Sequence, residues 1–161
     1  MIRAALSFAA IWLAGAVSAE QFFEVDSFDV TGVLPDGFGT GAASMNFEGT
    51  VYDSLDGQAQ LVVSGRLDMF DGVANSRELA RQGLIFNRAT ITFKFSDAGA
   101  FAYSGLRETG EAYYLYSRFG QTCEGVPVIG TFVLAYAPDA EPIYGPMIEQ
   151  LIAGLHIGAC G

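Results

Sequence analysis

Two consecutive segments carry large side chains on both faces, and no other feature limits the fold of this chain so tightly. In "EAYYLYSRF" (residues 111–119), Tyr113, Leu115 and Phe119 share one parity, and Tyr114, Tyr116 and Arg118 share the other. The next segment, "VPVIGTFVLAYAP", sets Val128, Phe132 and Leu134 against Ile129, Val133 and Ala135. Successive side chains of a strand point to opposite faces, so a strand of this kind needs cover on both sides. These two strands therefore belong at the centre of a domain, with another layer on the outside.

The neighbouring segments follow simpler patterns. "SMNFEGTVYDS" places Met45, Phe47 and Val51 on one side, and "QLVVSGRLDMF" does the same with Leu61, Val63, Leu67 and Met69. "ATITFKFSD" pairs Ala89, Ile91, Phe93 and Phe95 as the inner face with Thr90, Thr92, Lys94 and Ser96 as the outer one. Period-two alternation marks half-buried antiparallel strands. Asp and Gly in "DSLDGQ" and "FSDAGAF" supply tight turns between them. In "QFFEVDSFDVTGVL" the parity changes between Val25 and Phe28, which a bulge near Ser27 would accommodate. Seven strands are expected, over about 21–34, 43–54, 58–70, 84–96, 99–106, 111–119 and 126–137.

Two segments read as helical. Asn75 followed by Glu78 has capping-box spacing, so a short helix or lid is expected before Gly83. In "GPMIEQLIAGLHIG", Met147, Ile148, Leu151, Ile152 and Leu155 form one apolar stripe, with Pro146 in the first turn. This amphipathic helix, at about 146–156, needs a seat, and the second face of the Tyr114/Tyr116 strand offers one. A Cys123–Cys160 bond would tie the helix end to that strand.

The expected fold class is all-β: an antiparallel meander of seven or eight strands with the helix packed outside. Short hairpin connections favour closure into a small barrel, and a two-sheet sandwich is the alternative. The arrangement is similar to lipocalin-like barrels in architecture alone. Their G-x-W motif has no counterpart, because Trp12 lies in the N-terminal apolar run.

That run has the three parts of a secretory signal: Arg3, an uncharged stretch from Ala4 to Val17, and small residues at Val17 and Ala19. It falls short of the ~20 residues that span hydrocarbon. Cleavage after Ala19 would remove Arg3, leaving a single domain over residues 20–161 with a net charge of −11. Export to the periplasm or beyond suits a paired disulfide. The acidity opposes nucleic-acid binding, which needs clustered cations. It would instead steer a basic partner toward the surface.

Nucleophilic hydrolysis needs a histidine beside the nucleophile, and the only histidine, His156, ends the apolar helix. No phosphate-binding or dinucleotide glycine pattern is present. "DSLDG" and "DMFDG" do not match a calcium loop. No enzyme activity, cofactor or metal is therefore expected. The one basic cluster, Arg77, Arg81 and Arg88, could hold a ligand carboxylate at a barrel mouth, with Tyr103 and Tyr113 among the inward aromatics. The leading expectation is a binding protein that holds a small apolar or amphipathic molecule. In that case Gly65, Gly105 and Gly130 would mark empty interior space. The alternative is a protein-interaction module, an envelope inhibitor or accessory subunit, anchored by an uncovered Tyr114/Tyr116 surface.

Overall fold

The computed structural model describes residues 21–43, 48–69 and 72–160. The expected signal sequence and the alternating positions Met45 and Phe47 lie outside the described residues. Among the described residues the main sheet has seven antiparallel strands. In spatial order they are β3 (Ala42–Ala43), β4 (Gly49–Asp53), β5 (Ala59–Leu67), β9 (Pro127–Tyr136), β8 (Ala112–Gln121), β7 (Ala100–Leu106) and β6 (Phe93–Ser96). The two strands with two apolar faces, β8 and β9, pair over their whole length at the middle of the sheet.

This sheet is open, with β3 and β6 at its edges, so the expected barrel does not form. The reason lies in the first segment. It is not one bulged strand but a hairpin, β1 (Gln21–Val25) and β2 (Val30–Leu34), turned by a single 3-10 turn at Asp26–Phe28. The parity change read from the sequence reports this reversal, which Asp29 completes in the left-handed region (φ 50°). The hairpin joins β10 (His156–Ile157) in a second sheet of three strands. That small sheet lies against one face of the large one instead of extending it. It is too small to make a sandwich of two comparable sheets.

The helices also depart from expectation in length. The helix α1 spans Val73–Phe86 and runs through the start of the strand expected at 84–96. Val73, Ala80 and Leu84 pack on the sheet, and Ser76 on the same stripe is fully buried. That helical spacing outweighs the strand reading of "GLIF". Helix α1 begins after Gly72 with no side-chain cap, so the box at Asn75 is not used. Near the C-terminus, a short helix α2 (Glu141–Tyr144) precedes α3 (Met147–Gly154), and His156 belongs to β10. Leu151 and Leu155 of the predicted stripe are fully buried. Each such burial contributes about 1.5–3 kcal/mol, so packing rather than propensity holds this short helix.

The cover over β8 and β9 is thus double. On one face Tyr114, Tyr116, Phe132 and Leu134 share a core with Phe23, Val30, Leu151 and Leu155. On the other, Phe101, Tyr103, Tyr113 and Ala135 share a core with Val73, Ala80 and Leu84 of α1. Arg118 donates to the Leu155 carbonyl at 2.6 Å and fixes the end of α3 to the second face of β8. The three glycines read as markers of empty space are filled by the chain itself. A side chain at Gly65 would meet the Phe28 ring, one at Gly130 would meet Val30 and Ile157, and one at Gly105 would meet the Thr90 carbonyl.

Cys123 and Cys160 form the expected disulfide, with Cα atoms 5.6 Å apart. Asp29 reinforces the same corner: its carboxylate accepts from the Cys123 amide at 2.7 Å and its carbonyl from the Gly158 amide at 2.9 Å. The two half-cystines are 37 positions apart. By chain-entropy arithmetic, closing that loop stabilises the fold by about 4 kcal/mol. The double variant Cys123→Ser/Cys160→Ser should lose up to that amount, measured as a lower urea midpoint with a slope that does not fall, since the unfolded chain without its cross-link is less compact.

Burial raises the phenols of Tyr52, Tyr103, Tyr113, Tyr114, Tyr136 and Tyr144 above their ordinary 10.0. Above that pH the unfolded chain releases phenolic protons that the folded chain retains, so stability falls as pH rises. In an alkaline titration, phenolate absorbance of the native protein should lag well behind that of the denatured protein. Coincident curves would contradict this packing.

Candidate functional site

Where α1 passes over the outer strands it leaves a cleft of about 400 Å³ at the β6 edge of the sheet. Arg77, Glu78 and Arg81 of α1 form one wall, Lys94, Phe95 and Ser96 of β6 the other, and Tyr103 of β7 the floor. Helical spacing sets Arg77 and Arg81 one turn apart. The ladder places Lys94 opposite Tyr103, on the α1 side of the sheet. The Tyr103 hydroxyl donates to the Arg77 carbonyl at 3.2 Å and pins the helix above the cleft.

The charges in the cleft are unequal. Arg81 grips Glu78 with two nitrogens, at 2.8 and 2.6 Å, and Gln82 adds a third bond to the same carboxylate at 3.1 Å. These bonds, Arg81 first, hold the Glu78 carboxyl down at about 2. Arg77 and Lys94 make no ion pair among the described residues. Three cations thus face one anion, on a chain whose net charge is −10. An ammonium and a guanidinium left open beside a pinned pair can accept a carboxylate, the guanidinium through two parallel bonds.

The structure brings together three of the residues expected to bind a ligand: Arg77, Arg81 and Tyr103. Lys94 is the member missed by reading Arg77, Arg81 and Arg88 as the cluster. The signal was its outward parity on an exposed strand, in a chain with no other lysine. Arg88 stands apart, paired with Glu108 at 2.8 Å. Tyr113 forms part of a different depression, with Leu84, Ala89, Leu115 and Val133, and its hydroxyl donates to the Thr90 carbonyl at 2.9 Å. Tyr116 is buried and Tyr114 half-buried beneath the second layer, so the surface expected there is part of the core. Its place as an exposed aromatic feature is taken by Phe93 and Phe95, 47% and 43% exposed.

No known family model matches the chain, and no curated protein matches it. Solved structures do share the fold. The solution structure of cyanobacterial PsbP (CyanoP) from Synechocystis sp. PCC 6803 is similar over 89% of this chain and 96% of its own, with a TM-score of 0.64 and 14% identity. The Ran-binding protein Mog1p of Saccharomyces cerevisiae is similar over 86% of this chain and 95% of its own, with a TM-score of 0.54 and 9% identity. At these identities the likeness is one of fold alone.

A carboxylate titration followed by NMR checks the cleft geometry. Glu78 should titrate near 2 in the native protein and return toward 4.5 in Arg81→Gln. A native midpoint near 4.5 would mean that the pair does not form in solution.

Proposed function

We propose that the protein is an exported, non-catalytic protein-interaction module, and that the cleft between α1 and β6 is its recognition site. The observation that carries this reading is the pair of cations without an ion pair among the described residues, Arg77 and Lys94, with exposed aromatic rings on the reverse face of the same edge strand of an acidic chain. Exposed apolar groups on the same strand as charge that forms no ion pair among the described residues, at the edge of a sheet whose central strands are covered on both faces, suit a partner surface better than a buried small molecule. The filled space above Gly65, Gly105 and Gly130 removes the interior that a ligand barrel requires. The disulfide and the N-terminal signal pattern support export. One solved structure of this fold is described as a Ran-binding protein, so the fold serves protein recognition in another chain.

The partner's charge follows from two opposing terms. The chain as a whole repels acidic proteins, whereas the cleft attracts a carboxylate. Both are met by a neutral or basic protein that presents a short acidic segment. A photo-crosslinking side chain at Ser96, in the protein expressed in its own host, tests this. One discrete product is expected from the native cleft and none from Arg77→Glu/Lys94→Glu. A product indifferent to that reversal, or no product at all, would remove the cleft as the recognition site.

A further inference from the structure

The cleft has a neighbour that gives its occupant a shape. β6 ends the sheet, and no strand pairs with its outer side among the described residues. The Asp97 amide bonds to the Ala100 carbonyl at 3.0 Å, which fixes the phase of the β6–β7 ladder. Alternation then directs the backbone groups of Phe93 and Phe95 toward β7 and those of Lys94 and Ser96 outward. The Thr92 amide also reaches the Ser104 carbonyl, at 2.8 Å, so Thr92 and Phe93 together oppose Ser104 in a bulge. The bulge changes the parity expected for this segment. Ala89 and Ile91 pack on the α1 side, whereas Phe93 turns to the opposite face and stacks on Tyr114 at 6.4 Å.

Sheet edges are templates for pairing, and soluble proteins usually blunt them with charge, proline or cover. Lys94 supplies a charge here. The phenyl rings flanking it, however, stay half-exposed on the other face. The edge is therefore two-sided: cationic on the α1 face, with Lys94 beside Arg77 and Arg81, and aromatic on the opposite face, with Phe93 and Phe95.

We propose that β6 accepts an extended segment of a partner protein as an eighth strand, a segment that alternates acidic and apolar residues. This rests on the interaction-module reading and specifies its mode. Main-chain bonds to Lys94 and Ser96 supply affinity, and alternate side chains read the two faces. Residues level with Lys94 and Ser96 point into the cleft and meet Arg77, so carboxylates fit there. Residues level with Phe93 and Phe95 point to the aromatic face, so valine, isoleucine or phenylalanine fits there. A one-residue slip would place every acid on the phenyl rings, which sets the register.

The test uses residues 20–161, the chain that the expected cleavage would leave, and a blocked nonapeptide of strictly alternating Glu and Val, followed by amide hydrogen exchange. Exchange at Lys94 and Ser96 should slow at least tenfold on saturation, and a peptide of the same composition in block order should bind at least tenfold more weakly. Ser96→Pro removes one outward donor at an edge position that tolerates proline. It should weaken binding at least tenfold, while amide exchange across β8 and β9 of the same Ser96→Pro protein stays as slow as in the native chain, which separates lost pairing from lost fold. Binding without protection at Lys94 and Ser96 would overturn strand addition yet leave the charged cleft as the recognition site. No binding by either peptide, together with no crosslink at Ser96, would overturn both. Protection that rises with protein concentration and needs no peptide would replace the partner segment by a second copy of this chain.

Discussion

The whole arrangement depends on how closely two layers can approach the centre of one sheet. β8 and β9 are apolar on both faces, so each face must be closed, and on one of them the closing layer is itself a sheet. Backbone can lie on backbone only where side chains are missing. Gly130 sits under Val30 and Ile157, Gly120 under Ile157, and Gly65 under Phe28. A methyl group at Gly65 or Gly120 would have to displace the side chain above it, and one at Gly130 would crowd Val30 and Ile157. The glycines are therefore contact points, and the disulfide and Asp29 hold the small sheet down at the corner where it meets the β8–β9 loop.

Closing the sheet from both sides also explains why it does not curl into a barrel. A barrel hides one face of its strands by enclosing it, whereas here the hairpin, α3 and α1 do that work from outside. An open sheet keeps its edges as a consequence. The cover is centred on β5, β9 and β8, and it thins toward β6, all four residues of which are exposed. The functional site proposed above occupies this uncovered margin.

Much of this was legible in the residues. Two-faced apolarity located β8 and β9 at the centre, the helical stripe at 147–155 identified what covers them, and the cysteine count gave the bond between the two. What could not be read was the direction of the chain. A parity change between Val25 and Phe28 is the same signal for a bulge and for a reversal, and only the second turns a strand into a covering layer. The apolar run Leu84–Phe86 is likewise too short to show a period of its own, and the contacts of Val73, Ala80 and Leu84 decide for helix. The cleft was half visible. Arg77 and Arg81 are local neighbours on one helix, but Lys94 joins them through tertiary packing, and the bulge at Thr92–Phe93 that sets the faces leaves no mark in the alternation.

The position of Lys94 can be explained twice, as a guard against aggregation and as part of a site, and the surrounding charges separate the two. A guard needs only an exposed charge on the edge, and on a chain that is already acidic such a lysine would be most stable among acidic neighbours. Here the neighbours across the cleft are two arginines, which raise the local potential against the sign of the whole molecule. One of those arginines is held by Glu78 and so acts as a fixed wall, while Arg77 and Lys94 form no ion pair among the described residues. Concentrating like charges costs stability unless a counter-charge arrives. The aromatic rings on the reverse of the same strand point the same way, because water is a poor neighbour for them until a second strand covers them. Both faces of β6 are thus stabilised by one event, the arrival of a strand with acids on one side and apolar groups on the other.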